Sequence, residues 1–493
     1  MNNLLVAPIA LPMAAAIALL FTRERPAWSR ALSLAANVGG LVVAAALVES
    51  VRIDGIQTLA FGGWAAPFGI VFTVDMLGAL MVLVTMVVST ATLAFACSTL
   101  PDLHERMFFY PLFQLLLMGV NGSFLTGDLF NLFVWFEVLL ISSYALMSLG
   151  STEQHLAETF KYALINVVSS SMFLVGIALV YSLTGTLNMA DLAVRMDAVD
   201  ERGLVALSAA LFVAVFSIKA ALFPVYVWLP RAYFAPPTVI SGLFGGLLTK
   251  VGVYALFRVT TLIFPGVAML QPLLLFIAGA TMFFGVLGAL SQWDMKRVLS
   301  YHIVSQIGYM IMGLGLWSPA GWVGGIYYMI HHILVKTSLF LVAGAVEASR
   351  GTTNLRRLGG LVDGQPGLST LFVVAGLGLA GVPPLSGFVA KLVLMRAGLE
   401  QSHDFVVFVS VVVSFLTLFS MMKIFRYGFW RDESSPQVAT SGGAVRATAI
   451  ASLVLLGVAM GLGAEWGLPY AELAAEQLAD RDGYIAAVLG ERP

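Results

Sequence analysis

The 493-residue chain is 59% hydrophobic and only 11% charged, against roughly 25% charged in a soluble domain, so lipid must be the solvent for most of it. A formal net charge of −1 gives no basic field, which excludes nucleic acid as an expected partner. The single cysteine, Cys97, and the lack of any CxxC exclude an internal disulfide and argue against zinc or iron–sulfur chemistry, so no cofactor or metal is expected.

Residues 4–21 look like a signal-peptide core, but no Lys or Arg precedes them, whereas Arg23, Arg25 and Arg30 follow. That polarity is opposite to a secretory signal and reads as a retained first span. Apolar runs then recur at 31–50, 72–97, 108–126, 129–149, 158–183, 204–229, 238–262, 270–290, 298–316, 322–348, 368–398, 404–426 and 445–465. Each covers roughly 30 Å of hydrocarbon as a helix, and lipid tolerates no unpaired backbone. The expected fold is therefore all-α, a polytopic protein of about fourteen transmembrane helices. Residues 51–71 are glycine-rich and read as a loop with short extended pieces; the tail from Pro469 reads as a surface helix or a frayed end.

Loops after odd-numbered spans hold about fourteen Lys/Arg, and the other side, from Arg52 to Arg492, about seven. The richer side is expected in the cytoplasm, with both termini outside. The seventh span contains FSIKAALFPVYVWLP, with Lys219 before Pro224; the twelfth contains GLAGVPPLSGFVAKLVLM, with Lys391 after Pro384. Proline removes a donor and clashes with the preceding turn, so both helices should be discontinuous. Five spans apart, they cross in opposite directions, as two inverted-topology repeats would require. The expected organisation is 1–107 (helices 1–3), 108–265 (first repeat), 266–430 (second repeat) and 431–493 (helix 14 and tail). The order of lysine and proline, reversed between the two spans, counts against a simple copy.

A charge near the bilayer centre costs at least ~2.5–3.5 kcal/mol and marks function by default. Glu137 is mid-span among apolar neighbours, and Lys219, Lys250 and Lys391 are mid-span in the seventh, eighth and twelfth runs. Lysine held out of water can accept and release a proton. In the eleventh run, His332 and Lys336 are four apart and share a face, where imidazole can relay protons. His331 points elsewhere and reads equally as a satisfied core histidine. Haem ligation is set aside because no second mid-span histidine stands on a matching helix. Asp75, Lys161, Arg258, Glu347 and Lys423 lie nearer span ends, where snorkelling or loop pairing explains them. Gly376, Gly378 and Gly381 spell GxGxxG without a preceding strand and read as close helix packing.

With Glu137, Lys219, Lys250 and Lys391 so placed, the chain resembles the antiporter-like family over nearly its whole length. That family includes membrane-arm subunits of respiratory complex I, hydrogenase subunits and large subunits of Mrp-type cation/proton antiporters. The segment DLFNLFVWFEVLLISSYALMSLG is similar to D-type Mrp subunits. The resemblance implies a functional Glu137–Lys219 pair, with Lys250, His332, Lys336 and Lys391 continuing a buried proton chain. It also implies a secondary transporter subunit rather than an enzyme. The implied function is exchange of protons for sodium, lithium or potassium in a bacterial plasma membrane, in a hetero-oligomer with other Mrp subunits. The alternative is a proton-pumping subunit of NADH:quinone oxidoreductase or a membrane-bound hydrogenase. In SYHIVSQIGYM, Gln306 stands where some relatives carry histidine, which suggests different relay routing in the two halves.

Overall fold

The computed structural model describes residues 3–149, 153–432 and 442–490. Arg492, counted above for orientation, lies outside them. The longer helices, in chain order, are α1 (Ala7–Thr22), α2 (Pro26–Asp54), α3 (Met76–Ala96), α4 (Tyr110–Leu125), α5 (Leu129–Ser148), α6 (Glu153–Thr184), α7 (Met189–Asp197), α8 (Arg202–Ala220), α9 (Thr238–Leu262), α10 (Leu270–Ser291), α11 (Met295–Gly315), α12 (Pro319–Arg350), α13 (Pro366–Ala380), α14 (Ser386–Glu400), α15 (Asp404–Ile424), α16 (Gly443–Leu462), α17 (Ala464–Ala479) and α18 (Arg481–Leu489). Among the described residues, eleven helical segments are long and apolar enough to cross a membrane, and α1 and α13 are shorter apolar helices. The protein is a multi-pass membrane protein, nearly all helical among the described residues. Its glycine-rich segment forms a small antiparallel hairpin, β1 (Gln57–Ala60) against β2 (Val71–Val74).

Starts are set by side-chain caps that satisfy otherwise unpaired amides. Asp75 accepts from Gly78 N before α3, Asp128 from Asn131 N before α5, and Asp294 from Lys296 N and Arg297 N before α11. At the centre stands α9, buried along its whole length. Beside it, α12 packs on α3, α9, α11, α13, α14, α16 and α17. Between their ends the two central helices are almost wholly buried, so the polar residues there meet protein rather than lipid.

The structure corrects the reading of the tail. Both α17 and α18 are docked: Gln477 accepts from Met76 N, and Arg481 binds Leu262 O, Ala193 O and the Asp197 carboxylate. Tyr484 is buried. It lies with Tyr254 on the Arg258 guanidinium, which pairs with Asp75. That pair is buried on both sides, so snorkelling does not explain Asp75 or Arg258. Lys161 does pair locally with Glu158, and Lys423 donates to Leu290 O and Gln292 O at the end of α10.

Contacts recur along the chain at one constant offset. Asp128 bridges Asn188, and Asp294 bridges Asn354. Gly119 abuts the Leu139 backbone and Gly122 abuts Trp135; Gly285 abuts Ser305 and Gly288 abuts Tyr301. At the same offset, Tyr162, Asn166 and Ser170 of α6 correspond to Tyr328, His332 and Lys336 of α12.

Candidate proton pathway

Both proline-containing spans are broken as expected. Helix α8 ends with Ala221 at φ 58°, whose amide and that of Leu222 turn back to Ile218 O and Ser217 O. Helix α13 ends with Gly381 at φ 90°, where Gly381 N and Val382 N turn back to Leu377 O. Gly381 thus terminates a helix, which corrects its reading as a packing residue. The left-handed conformation suits glycine and strains alanine. The carbonyls exposed by each break are met from beyond it. The Trp228 indole donates to Ile218 O at 3.1 Å. The Lys391 ammonium donates to Leu379 O at 3.1 Å and Ala380 O at 2.9 Å. Lysine and proline stand in opposite order: Lys391 lies beyond its break and caps it, whereas Lys219 precedes its break and turns to α6.

Lys219 is the penultimate residue of α8 and is buried. Its ammonium donates to Ser170 Oγ at 3.0 Å and to Asn166 O at 3.4 Å, and it lies 5.8 Å from the centre of the Phe136 ring. The Ser170 hydroxyl in turn donates to the Glu137 carboxylate. Glu137 is half-buried on α5. The expected pair is thus linked through a serine on α6 that sequence reasoning missed. Its i,i+4 relation to Asn166 was the available signal, unremarkable until α6 was seen to face the break.

Lys250 is fully buried and donates to Gly245 O at 2.5 Å. It faces α12, because Gly246, one turn earlier, abuts Thr337. On roughly the opposite side of α9, a Cβ at Gly252 would stand 2.8 Å from Ala220 N and 3.1 Å from the Lys219 carbonyl carbon. Helix α9 therefore lies between Lys219 and Lys250, and the six predicted residues form two groups rather than one uninterrupted row.

In the second group, Lys336 and His332 are fully buried and within electrostatic range of Lys250. Among the described residues, neither ring nitrogen of His332 and not the Lys336 ammonium has a hydrogen-bond partner. Such groups in a packed interior are where ordered water is required. Tyr328 stacks against the His332 ring and donates to Gln306 Oε1, whose amide reaches Thr417 at 3.3 Å. Lys391 lies 4.6 Å from the Tyr309 ring centre and 5.9 Å from that of Tyr328. His331 Nδ1 shares a hydrogen bond with Ser386 at the start of α14, while its Nε2 has no hydrogen-bond partner among the described residues. His302 is a second buried, mid-helix histidine, so the reason given above for setting haem aside does not hold. Its Nε2 instead meets Ser420 Oγ at 2.9 Å.

The family described as NADH:quinone oxidoreductase/Mrp antiporter, TM, matches residues 126–417, from the cap of α5 into α15. The chain is also 47% identical, over the full length of both proteins, to the D-type subunit of the Na(+)/H(+) antiporter from Alkalihalophilus pseudofirmus. The chain belongs to this family. Among solved structures, it superimposes with a TM-score of 0.92 on a chain of the Mrp complex from Dietzia sp. DQ12-45-1b, at 33% identity, covering 99% of this chain and 100% of that one. A chain of the membrane-bound sulfane sulfur reductase, an archaeal respiratory membrane complex, gives 0.91 at 28% identity with the same coverage. The likeness to these relatives covers 99–100% of the chain, so it takes in α1–α3 and the docked tail outside the matched segment.

Proposed function

We propose that this chain is the D-type membrane subunit of a multisubunit Na+/H+ antiporter and that its buried Glu/Lys/His groups carry the proton limb of the exchange. It is a transporter subunit, working with other Mrp-type subunits, and not an enzyme. The observation that carries the reading is the pair of broken helices, each ending against a buried lysine, in a chain 47% identical throughout to an antiporter subunit. That identity favours the antiporter over the redox-driven alternative: among solved structures, the respiratory complex I chains stand at 25% and the sulfane sulfur reductase chain at 28%, against 33% for the Mrp chain.

Glu137, Ser170 and Lys219 form the first station. The carboxylate favours a charged lysine, and the serine hydroxyl can pass a proton between them. Lys250, Lys336 and His332 form the second, joined by water to Lys391 at the second break. Amines and imidazoles carry protons but are poor sodium ligands, which is why the proton limb is assigned here. The recurring contacts support two inverted repeats, about 108–265 and 266–430, flanked by 1–107 and 431–493. The loop-charge asymmetry supports a bacterial plasma-membrane subunit with cytoplasmic odd-numbered loops and both termini outside. The test is Glu137→Ala in the complete antiporter, assayed in everted vesicles: cation-dependent proton movement is lost while the complex still assembles. Full transport by that variant refutes the pathway.

A further inference from the structure

A chamber of about 320 Å³ opens where α9 begins and α12 ends, lined by His104, His155, Thr238, Lys296, Gly344 and Glu347 among others. Its polar core is built. The Lys296 ammonium lies 3.0 Å from Glu347 Oε1 and 3.3 Å from Oε2, and the Thr238 hydroxyl donates to the same carboxylate. Lys296 is buried, while the Glu347 side chain is 40% exposed, so the carboxylate faces both water and protein. His155 is within electrostatic range of Lys296, His104 and Glu347. None of these groups belongs to the pathway described above.

Two facts tie the chamber to that pathway. First, its helices are those that carry Lys250 and Lys336, about 16–18 Å deeper at helical rise. Second, a stripe of small residues, Gly242, Gly245 and Gly246, descends α9 from Thr238 toward Lys250. The Thr337 hydroxyl donates to Gly242 O at 3.5 Å, and the Lys250 ammonium to Gly245 O. Phe340 packs over Gly242 and Gly245 and narrows this seam. A structural ion pair alone would not need a solvent-open chamber at the head of such a stripe.

We propose that this chamber is a mouth of the proton pathway and that Glu347 is its proton-carrying group, exchanging protons between water and the Lys250–Lys336 station. The inference rests on the proton-pathway reading above. A proton leaving a lysine ammonium leaves a neutral amine and converts the Glu347 carboxylate to the acid, which then releases it to water. Its ligand is the proton rather than a metal cation, because the Lys296 ammonium already spans both carboxylate oxygens. Lys296 contacts the carboxylate, and His104 and His155 line the same chamber. By the loop-charge asymmetry, the mouth opens to the cytoplasm.

The test uses the complete antiporter in everted vesicles, with Glu347→Gln, Glu347→Asp, Glu347→Ala and Glu137→Ala side by side. Glutamine keeps the shape and an acceptor for Thr238 but cannot carry the proton. We expect it to assemble and to slow transport about tenfold or more, as loss of a positioned proton carrier does. Glu347→Asp keeps most of the rate, and added formate restores Glu347→Ala, whose truncated side chain leaves room for it. Unchanged transport in Glu347→Gln, or a loss in Glu347→Ala that formate does not restore, overturns the assignment. If Glu137→Ala is itself active, the pathway reading has failed instead. Should the glutamine chain not assemble, a water-soluble carbodiimide on the parent complex decides the matter. Modification of Glu347 with parallel loss of transport supports the mouth, and modification with full transport overturns it.

Discussion

The Glu137–Ser170–Lys219 station and the His332–Lys336 row are related through Asn166 and Ser170, which His332 and Lys336 match at the recurring offset, yet they meet their charges in opposite ways. In the first, the lysine has a serine, a backbone carbonyl and, through the serine, a carboxylate. In the second, the positions of Asn166 and Ser170 are taken by His332 and Lys336, whose side chains have no hydrogen-bond partner among the described residues. The first is an ionic anchor that can hold a charge at rest. The second is a strip of basic groups that water must connect, with no carboxylate hydrogen-bonded to it among the described residues. A pathway needs both kinds: a place where charge is stabilised and a place where it is released easily.

Substitution with methionine, similar in length but apolar, sharpens this contrast most. Lys219→Met should abolish proton transport and also lower the thermal stability of the complex. It strips Ser170 and Glu137 of their cation, a loss of about 1–3 kcal/mol for a part-buried partner left unpaired. Lys336→Met should abolish transport equally but leave stability unchanged or raise it by about 1–3 kcal/mol, because an unpaired buried amine is removed. Thermal melts of the two variants in detergent check the opposite signs. Destabilisation of similar size in both would break the comparison.

Lys391→Ala comes next. It should remove transport and uncap Leu379 O and Ala380 O, whereas Lys391→Glu should retain part of the activity, since a titratable group remains at the break. Vesicle assays of both variants decide whether titration or helix capping matters more there. Ser170→Ala should slow transport severalfold and cost about 1 kcal/mol, by removing the hydroxyl between Glu137 and Lys219. The smallest effect concerns the breaks themselves. Ala221→Gly should leave transport intact and stabilise by up to about 1 kcal/mol, since the first break holds alanine where the second holds Gly381. A transport defect in that variant would show that the strained turn takes part in the cycle.

The spans and the charged residues within them were legible in the sequence because both are local properties. Hydropathy over about twenty residues requires a helix in lipid, and a lysine or glutamate at mid-span stands out without any knowledge of neighbours. The prolines marked both breaks, and the loop around 51–71 was seen for the same local reason. Partners were another matter. Ser170, one serine in the run Ser169–Ser171, carries no signal of its own until α6 turns it toward α8. Asp75 and Arg258 looked like span-end charges because their 183-residue separation hides that they meet. The tail looked peripheral because its anchors, Gln477, Arg481 and Tyr484, are ordinary polar residues on two mixed helices.

The sequence by itself therefore determined that this protein crosses the membrane many times, that two of its helices are broken at proline, and that ionisable groups lie inside them. Only the tertiary structure decided which of those groups share a station, that α9 separates Lys219 from Lys250, and that Lys391 caps its break from the far side. The physical reason is the helix itself. It repeats every 3.6 residues and satisfies its own backbone, so each span can be read alone, but the face it turns to a neighbour depends on packing against residues hundreds of positions away.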